Sequence, residues 1–417
     1  MSSGENQGAR PLGEQSAGGE QSAGGERLAG RDVVMAVWGS LRHDARVVRS
    51  AAELARRGAR VTVVAASWDP EEIGRHRHPE GFDVLTIRRP EPWALHKNRP
   101  GPVAILLRAV RVLPGFLRFT RAIRSLRADV YHAHDIQALP WVYCSARGRP
   151  VIYDAHEITT DRTGFGRMGP VVGRFERYFA RRVAKMITTT RLRAEHFARV
   201  HDIPEPVVIQ NRPLYREVKA GRRLREAVAI PDEAVLFLYQ GGLQPRRGLE
   251  MIIDRVPEVE EAHFAFLGPG ILRETLRERA RALGVSERVH FLDAVPWQEL
   301  AEWTASADVG LQLLENAGLN HYTTDSNKIF EYGMAGLPVI ASDFPEIRKI
   351  VTEADFGLLV DPADPTAVRD AMIRLRDDAE LRARFAASAR RNGRWLSWET
   401  EGPKLVGLYG EVLSSEC

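Results

Sequence analysis

The chain has 417 residues, 44% of them hydrophobic, and a formal net charge of +4. That length exceeds one ordinary core and sets an expectation of two domains, and so small a charge gives no reason to expect a nucleic-acid partner. The two cysteines, Cys144 and Cys417, lie far apart without a Cys or His ligand pattern, which argues against a disulfide framework or structural zinc and makes a reducing cytoplasm the expected compartment.

Residues 1–30 repeat GEQSAG, GEQSAG and GERLAG from Gly13 to Gly30. They hold no apolar run long enough for a signal peptide or a membrane span, and read as a disordered tail. From Asp32 the chain alternates apolar runs with helical periodicity. DVVMAVWGS reads as a buried strand ending at Gly39, RVVRSAAELARRGA as a helix closed by Gly58, and RVTVVAA as the next strand. From Lys97 to Arg127 there is no acidic residue, and Lys97, Arg99, Arg108, Arg111, Arg118, Arg121, Arg124 and Arg127 are interleaved with apolar side chains. This is a basic amphipathic segment, expected to break near Pro114 and Gly115. Three readings stay open for it: a crossover helix with solvated arginines, an interfacial helix on anionic lipid, or one wall of an acceptor site. ADVYHAHD, PVIYDAHE, KMITTT and PVVIQN continue the strands to Asn211. After a polar stretch the alternation restarts with AVLFLYQGG, AHFAFLGPG, RVHFLDAVP, ADVGLQLL, LPVIAS and GLLVDP. The pattern predicts two doubly wound α/β domains of Rossmann type in tandem facing across a cleft, with ligands outside the carboxyl ends of the strands.

Two segments in the second half carry chemistry. In TTDSNKIFEYGMAGLPVIAS, Ser326 reads as an N-cap, Asn327 to Met334 as about two helical turns, and Gly336 as the stop. A helix start favours a phosphate, and Glu331, four residues beyond Asn327, shares its face. A carboxylate there can accept from two vicinal hydroxyls, so the segment suits a nucleoside diphosphate; an ordinary capped helix with an exposed Glu fits equally. In YQGGLQPRRGLE, Gly241 and Gly242 end a strand and Arg246 and Arg247 lead into a helix, a pattern that lets backbone approach a ligand and brings cations to phosphate oxygens. A tight turn with solvated arginines is the alternative.

Residues 31–415 resemble the retaining nucleotide-sugar glycosyltransferases of family 4, which have the GT-B fold. The likeness is most specific in FLDAVPWQELAEWTASADVGLQLL followed by NKIFEYGMAGLPVIASDFPEIRKIV, and in YQGGLQPRRG. It implies an acceptor-binding domain over residues 31–212, a nucleotide-sugar domain over 213–394, and a last helix in 395–417 returning to the first domain. By the same likeness Arg247 holds the donor diphosphate and Glu331 the ribose. Backbone at Gly241, Gly242, Asp325, Ser326, Asn327 and Lys328 approaches the pyrophosphate and sugar, and Val295 lies beside the base. Gly39 and Ser40, after the first strand, bring backbone near the donor phosphate. Two positions depart from the family: Thr323 stands where many members have a glutamate that contacts the donor sugar, and Gly242 where some have an arginine. A branch with NK-FEY wording shares both.

The first domain supplies His132, His134 and His156 at carboxyl ends of predicted strands. The likeness assigns His156 to the reacting sugar, while His132 and His134 read as packed residues. Asp135, Asp154 and Glu157 are candidate bases, none singled out by spacing. The implied reaction transfers a sugar from a nucleotide diphosphate donor, a uridine type being favoured, to the hydroxyl of a small molecule or glycoconjugate, with retention at the anomeric carbon. His156 and Arg247 are its catalytic candidates, and neither metal nor cofactor is expected. The alternatives are a sugar phosphorylase or synthase on the same fold and a non-catalytic nucleotide-sugar-binding module. A cytoplasmic enzyme is expected, with peripheral contact at the inner membrane face through Lys97 to Arg127 as the open variant.

Overall fold

The structure, a computed structural model, describes residues 28–89, 102–161, 169–218 and 221–415, with the side chains of His43 and of residues 102–112 outside that description. The described chain forms two compact units, one of residues 28–210 with 401–415 and the other of residues 211–400.

The first unit is built on eight strands: β1 (Asp32–Val37), β2 (Arg60–Ser67), β3 (Gly74–Arg77), β4 (Asp83–Arg88), β5 (Val130–His134), β6 (Val151–Ala155), β7 (Lys185–Thr188) and β8 (Val207–Val208). Their order is β3-β4-β2-β1-β5-β6-β7-β8, and only the β3–β4 pairing is antiparallel. Central strands such as β5 and β6 are buried along their whole length, as near-continuous apolar sequence in a parallel sheet requires. The chain runs outward in opposite directions from β1 and β5, so the topological switch point lies between them, where ligands of doubly wound sheets bind. Register then sets the chemistry. Val37 pairs with His134 across β1–β5, and His134 with Asp154 across β5–β6, which gathers polar side chains at one set of carboxyl ends.

The second unit has β9 (Leu236–Gln240), β10 (His263–Leu267), β11 (Val289–Leu292), β12 (Val309–Gln312), β13 (Val339–Ser342) and β14 (Gly357–Val360). They form a parallel sheet ordered β11-β10-β9-β12-β13-β14, whose switch point lies between β9 and β12. Phe237, Phe264 and Phe266 pack one face, and Leu238, Ile329, Phe330 and Tyr332 the other.

Three details differ from the sequence reading. Leu28 is fully buried, and Gly30 N–H donates to Gly58 O at 2.9 Å, so residues 28–30 belong to the fold and not to a tail. The helix Pro102–Ser125 runs unbroken through Pro114. A proline removes one backbone bond, and burial of Phe119 and Ile123 on the sheet holds the helix across that loss. Lys97 and Arg99 lie outside the described residues; Arg118, Arg121 and Arg124 are exposed, beside exposed Leu113 and Leu117. Residues 395–400 fall with the second unit, where Trp398 N–H donates to Pro213 O at 2.7 Å. The helix Gly402–Ser414 lies in the first unit, buried along Leu405, Leu408, Tyr409 and Val412.

Candidate functional site

In the second unit the polar groups converge where β9 ends. Gly241 and Gly268 sit at φ +117° and +141°, and a Cβ on Gly268 would lie 2.3 Å from the Gly241 carbonyl oxygen, so the two strand-end loops close on each other only as glycines. A Cβ on Gly241 would come 2.9 Å from Lys328 Cε. The bare glycine therefore makes room for the Lys328 amine, which also stands 5.2 Å from the centre of the Tyr239 ring. Burial and the nearby Arg247 charge lower the Lys328 pKa to about 8, against the opposing pull of Glu331. Among the described residues neither Lys328 nor Arg247 has an ion-pair partner. Two close cations left unpaired beside exposed backbone make a site for an anion.

Glu331 stands on the helix Asn327–Met334 with its Oε2 held by Gln240 Nε2 at 2.6 Å. Gln240 Oε1 accepts from Thr304 Oγ1 at 2.7 Å, and Gln240 N–H donates to the Tyr332 hydroxyl at 3.1 Å. Sequence reasoning missed this clamp. Its signal was a glutamine closing the otherwise apolar run AVLFLY, at the end of a strand buried throughout. Ser326 occupies the N-cap position, yet its side chain makes no capping bond and its backbone sits at φ +42°. The hydroxyl therefore does not cap the helix as the sequence suggested; strained backbone of this kind collects at ligand sites. Asp325 and Thr323 are buried, Thr323 Oγ1 donating back to Leu319 O at 2.7 Å, and Asn327 is exposed. Gly242 O accepts from the Tyr239 hydroxyl at 3.0 Å. Val295 packs partly buried against the unit's core.

In the first unit Asp154 is buried and forked by Arg46, whose Nε and Nη2 donate to its two oxygens at 2.8 and 2.9 Å. Burial opposes ionisation of Asp154, but Arg46 and the adjacent imidazoles hold its carboxyl well below the usual range. His134 Nδ1 is 3.2 Å from His156 Nε2, and Asp154 Oδ2 is 3.6 Å from both. His132 stacks on His134 at 4.2 Å and bonds the Tyr409 hydroxyl at 2.8 Å. Burial pushes His132 and His134 below the ordinary imidazole value. His156 is different: burial lowers its pKa, but Asp135 and Asp154 outweigh that and raise it to about 9. Asp135, at φ +62°, accepts from the His156 N–H at 3.2 Å. His132, His134 and Asp154 bring ligand-type atoms within 4.8 Å of one another, but the Arg46 guanidinium already takes both carboxylate oxygens, the position a cation would need. The same fork closes Asp154 as a base. Gly39 and Ser40 follow β1; the Ser40 hydroxyl donates to Glu72 at 2.7 Å.

Residues 44–212 match the glycosyl transferase 4-like domain family, and residues 234–378 match glycosyl transferases group 1. The chain therefore belongs to the two-domain glycosyltransferases of that type, with the GT-B fold. The D-inositol 3-phosphate glycosyltransferase of Corynebacterium glutamicum is 25% identical over 401 residues, covering 89% of this chain and 91% of that one. The enzyme of the same name from Corynebacterium efficiens is 31% identical over 210 residues, a match that spans only 48% of either chain. Among solved structures, sucrose-phosphate synthase from Thermosynechococcus elongatus superposes with a TM-score of 0.74 at 17% identity, over 92% of this chain and all of that one. Anabaena HepE, solved with UDP and glucose, gives 0.69 at 17% identity over the same shares.

Proposed function

We propose that the protein transfers a sugar from a nucleoside diphosphate sugar to an acceptor hydroxyl, with retention at the anomeric carbon and without a metal ion. The observation that carries this reading is the Lys328 amine packed against Gly241 with the Arg247 charge near it, neither ion-paired among the described residues, and a Glu331 held in place by Gln240. Cations and the helix start take the diphosphate, and the carboxylate takes the ribose hydroxyls. As the anomeric C–O bond breaks, the negative charge that develops on the leaving diphosphate is met by Arg247, Lys328 and the positive end of the helix, the electrostatic task a divalent cation performs elsewhere. The departing phosphate oxygen takes the acceptor proton on the same face of the sugar. Lys328 supplies the charge that other members place at the position of Gly242.

The acceptor is a small hydroxylated molecule, and relatives named for inositol 3-phosphate and, in Mycobacterium leprae, for phosphatidyl-myo-inositol make cyclitol phosphates and their conjugates the first class to try. In the first unit His156 is the residue assigned to the chemical step. Isothermal titration with UDP and GDP tests the donor half: Arg247→Ala and Lys328→Ala should each weaken binding by about tenfold or more, as loss of a charged hydrogen bond implies. Unchanged affinity in both variants would sink the assignment.

A further inference from the structure

The Arg46–Asp154 fork is a buried ion pair, and no step of the proposed reaction uses it. A buried pair of this kind is weak evidence for stability, since apolar residues of the same volume often serve as well. Its location suggests a task. Arg46 enters from the helix Ala45–Arg56 on the apolar face shared with Val47, Ser50, Ala51 and Leu54, and its Nη1 is fixed on Ile209 O at 2.8 Å. The guanidinium thus has one orientation and gives Asp154 one orientation. The Asp154 Oδ2 that results lies 3.6 Å from His156 Nε2, the atom that also faces His134 Nδ1 at 3.2 Å.

We propose that Asp154, locked by Arg46, is a positioning residue that keeps His156 in its imidazolium form with the Nε2 proton turned inward to His134 and Asp154 and the Nδ1 proton on the side of Asp135, whose Oδ2 is 4.0 Å away. The inference rests on the proposed glycosyl transfer for its consequence, but its physical content concerns His156 alone. The groups around the ring are Asp135 from the start of the helix after β5, Asp154 and its Arg46, His134 and His132 from β5, and Arg193, which donates to the His156 carbonyl at 2.8 Å and to Thr189 at 2.7 Å. His132 and His134, deeply buried with unpartnered Nε2 atoms, stay neutral. With His134 in the tautomer that accepts through Nδ1, the proton between the two rings belongs to His156. A His156 held as a cation keeps one positive charge and fixed N–H donors at the carboxyl end of β6 instead of a ring free to flip.

The test is an NMR titration of the His156 imidazole in full-length, substrate-free protein, assigned by its loss in His156→Gln. His156 should titrate near pH 9 in the wild type, and about one pH unit lower or more in Arg46→Met/Asp154→Asn, which removes both charges together and avoids an orphaned guanidinium. A wild-type value at or below the ordinary 6.5 would overturn the proposal. So would a high value that the double variant leaves in place, since Asp135 would then suffice. These readouts need no turnover, so they stand or fall separately from the glycosyl-transfer reading. Where turnover is measurable, its alkaline limb should move to lower pH in the double variant, whereas a merely structural pair would lower the rate equally at every pH.

Discussion

Replacing Glu331 with alanine isolates the ribose half of the donor site. The carboxylate sits on a helix whose Ile329 and Phe330 are fully buried, so the backbone should stay in place and the change should be felt by the ligand. Each hydrogen bond to a charged group contributes about 1.5–3 kcal/mol, so nucleoside diphosphate affinity should fall by about 10- to 150-fold. The clamp refines this expectation. Gln240→Leu keeps the carboxylate but removes the amide 2.6 Å from it. Thr304 keeps its bond to Leu300 O at 2.7 Å, so no buried hydroxyl is orphaned, and with the carboxylate still present for the ribose the loss should be smaller than in Glu331→Ala, on the order of 2- to 12-fold. Titration calorimetry with UDP and GDP reads both, and the deoxyribose nucleotides supply the control: Glu331→Ala should bind ribo and deoxyribo forms alike. Wild-type affinity in Glu331→Ala, or an undiminished preference for ribose, would refute the reasoning.

Other outcomes follow from the same geometry. With Lys328 lowered to about 8, the free protein carries its ammonium below that pH and loses it above. Bound diphosphate draws the proton back, so affinity should be flat near pH 7 and fall as pH rises past about 8, by up to about tenfold per pH unit; calorimetry in buffers of different ionisation enthalpy should show proton uptake, and a flat profile to pH 10 would contradict it. Deleting the chain after Gly393 strips Leu396 and Trp398 from the second unit and Leu405, Leu408 and Tyr409 from the first, at about 1.5–3 kcal/mol per uncovered large side chain; thermal unfolding of the truncated chain should show loss of cooperative folding, and wild-type melting would refute the packing. Sedimentation with anionic liposomes at physiological salt should leave the protein in the supernatant. Strong binding that disappears when Arg118, Arg121 and Arg124 become Gln would favour a lipid-linked acceptor.

All six strands of the second unit were legible as short, mainly apolar runs, and five of them are followed directly by Gly or Asp; β12 alone runs on into Leu313 and Leu314. In the first unit β3 and β4 were not singled out. β3 is GRHR, an antiparallel edge strand without an apolar residue, and β4 alternates faces in DVLTIR, so neither gives the dense signal of its neighbours. Helix Asn327–Met334 has the bounds its sequence announces, since Gly336 at φ +73° ends it. The unbroken helix at Pro114 was illegible because burial of Phe119 and Ile123 decides it, and burial is a tertiary quantity. The same holds for the site. Glu331 and Arg247 could be picked by residue type near a helix start, whereas Lys328 and the choice of His156 among three histidines came from the family resemblance. Gln240 and Arg46 act only through partners 91 and 108 residues away, and no local pattern encodes such pairs.

The most direct measurement is turnover of a panel of nucleoside diphosphate sugars with cyclitol phosphate and sugar acceptors in metal-chelating buffer, followed by NMR of the product's anomeric centre. Free nucleoside diphosphate should appear in step with a product that keeps the donor's anomeric configuration, and the rate should survive chelation and collapse in Arg247→Ala. An inverted product, or turnover that requires a divalent cation, would contradict it.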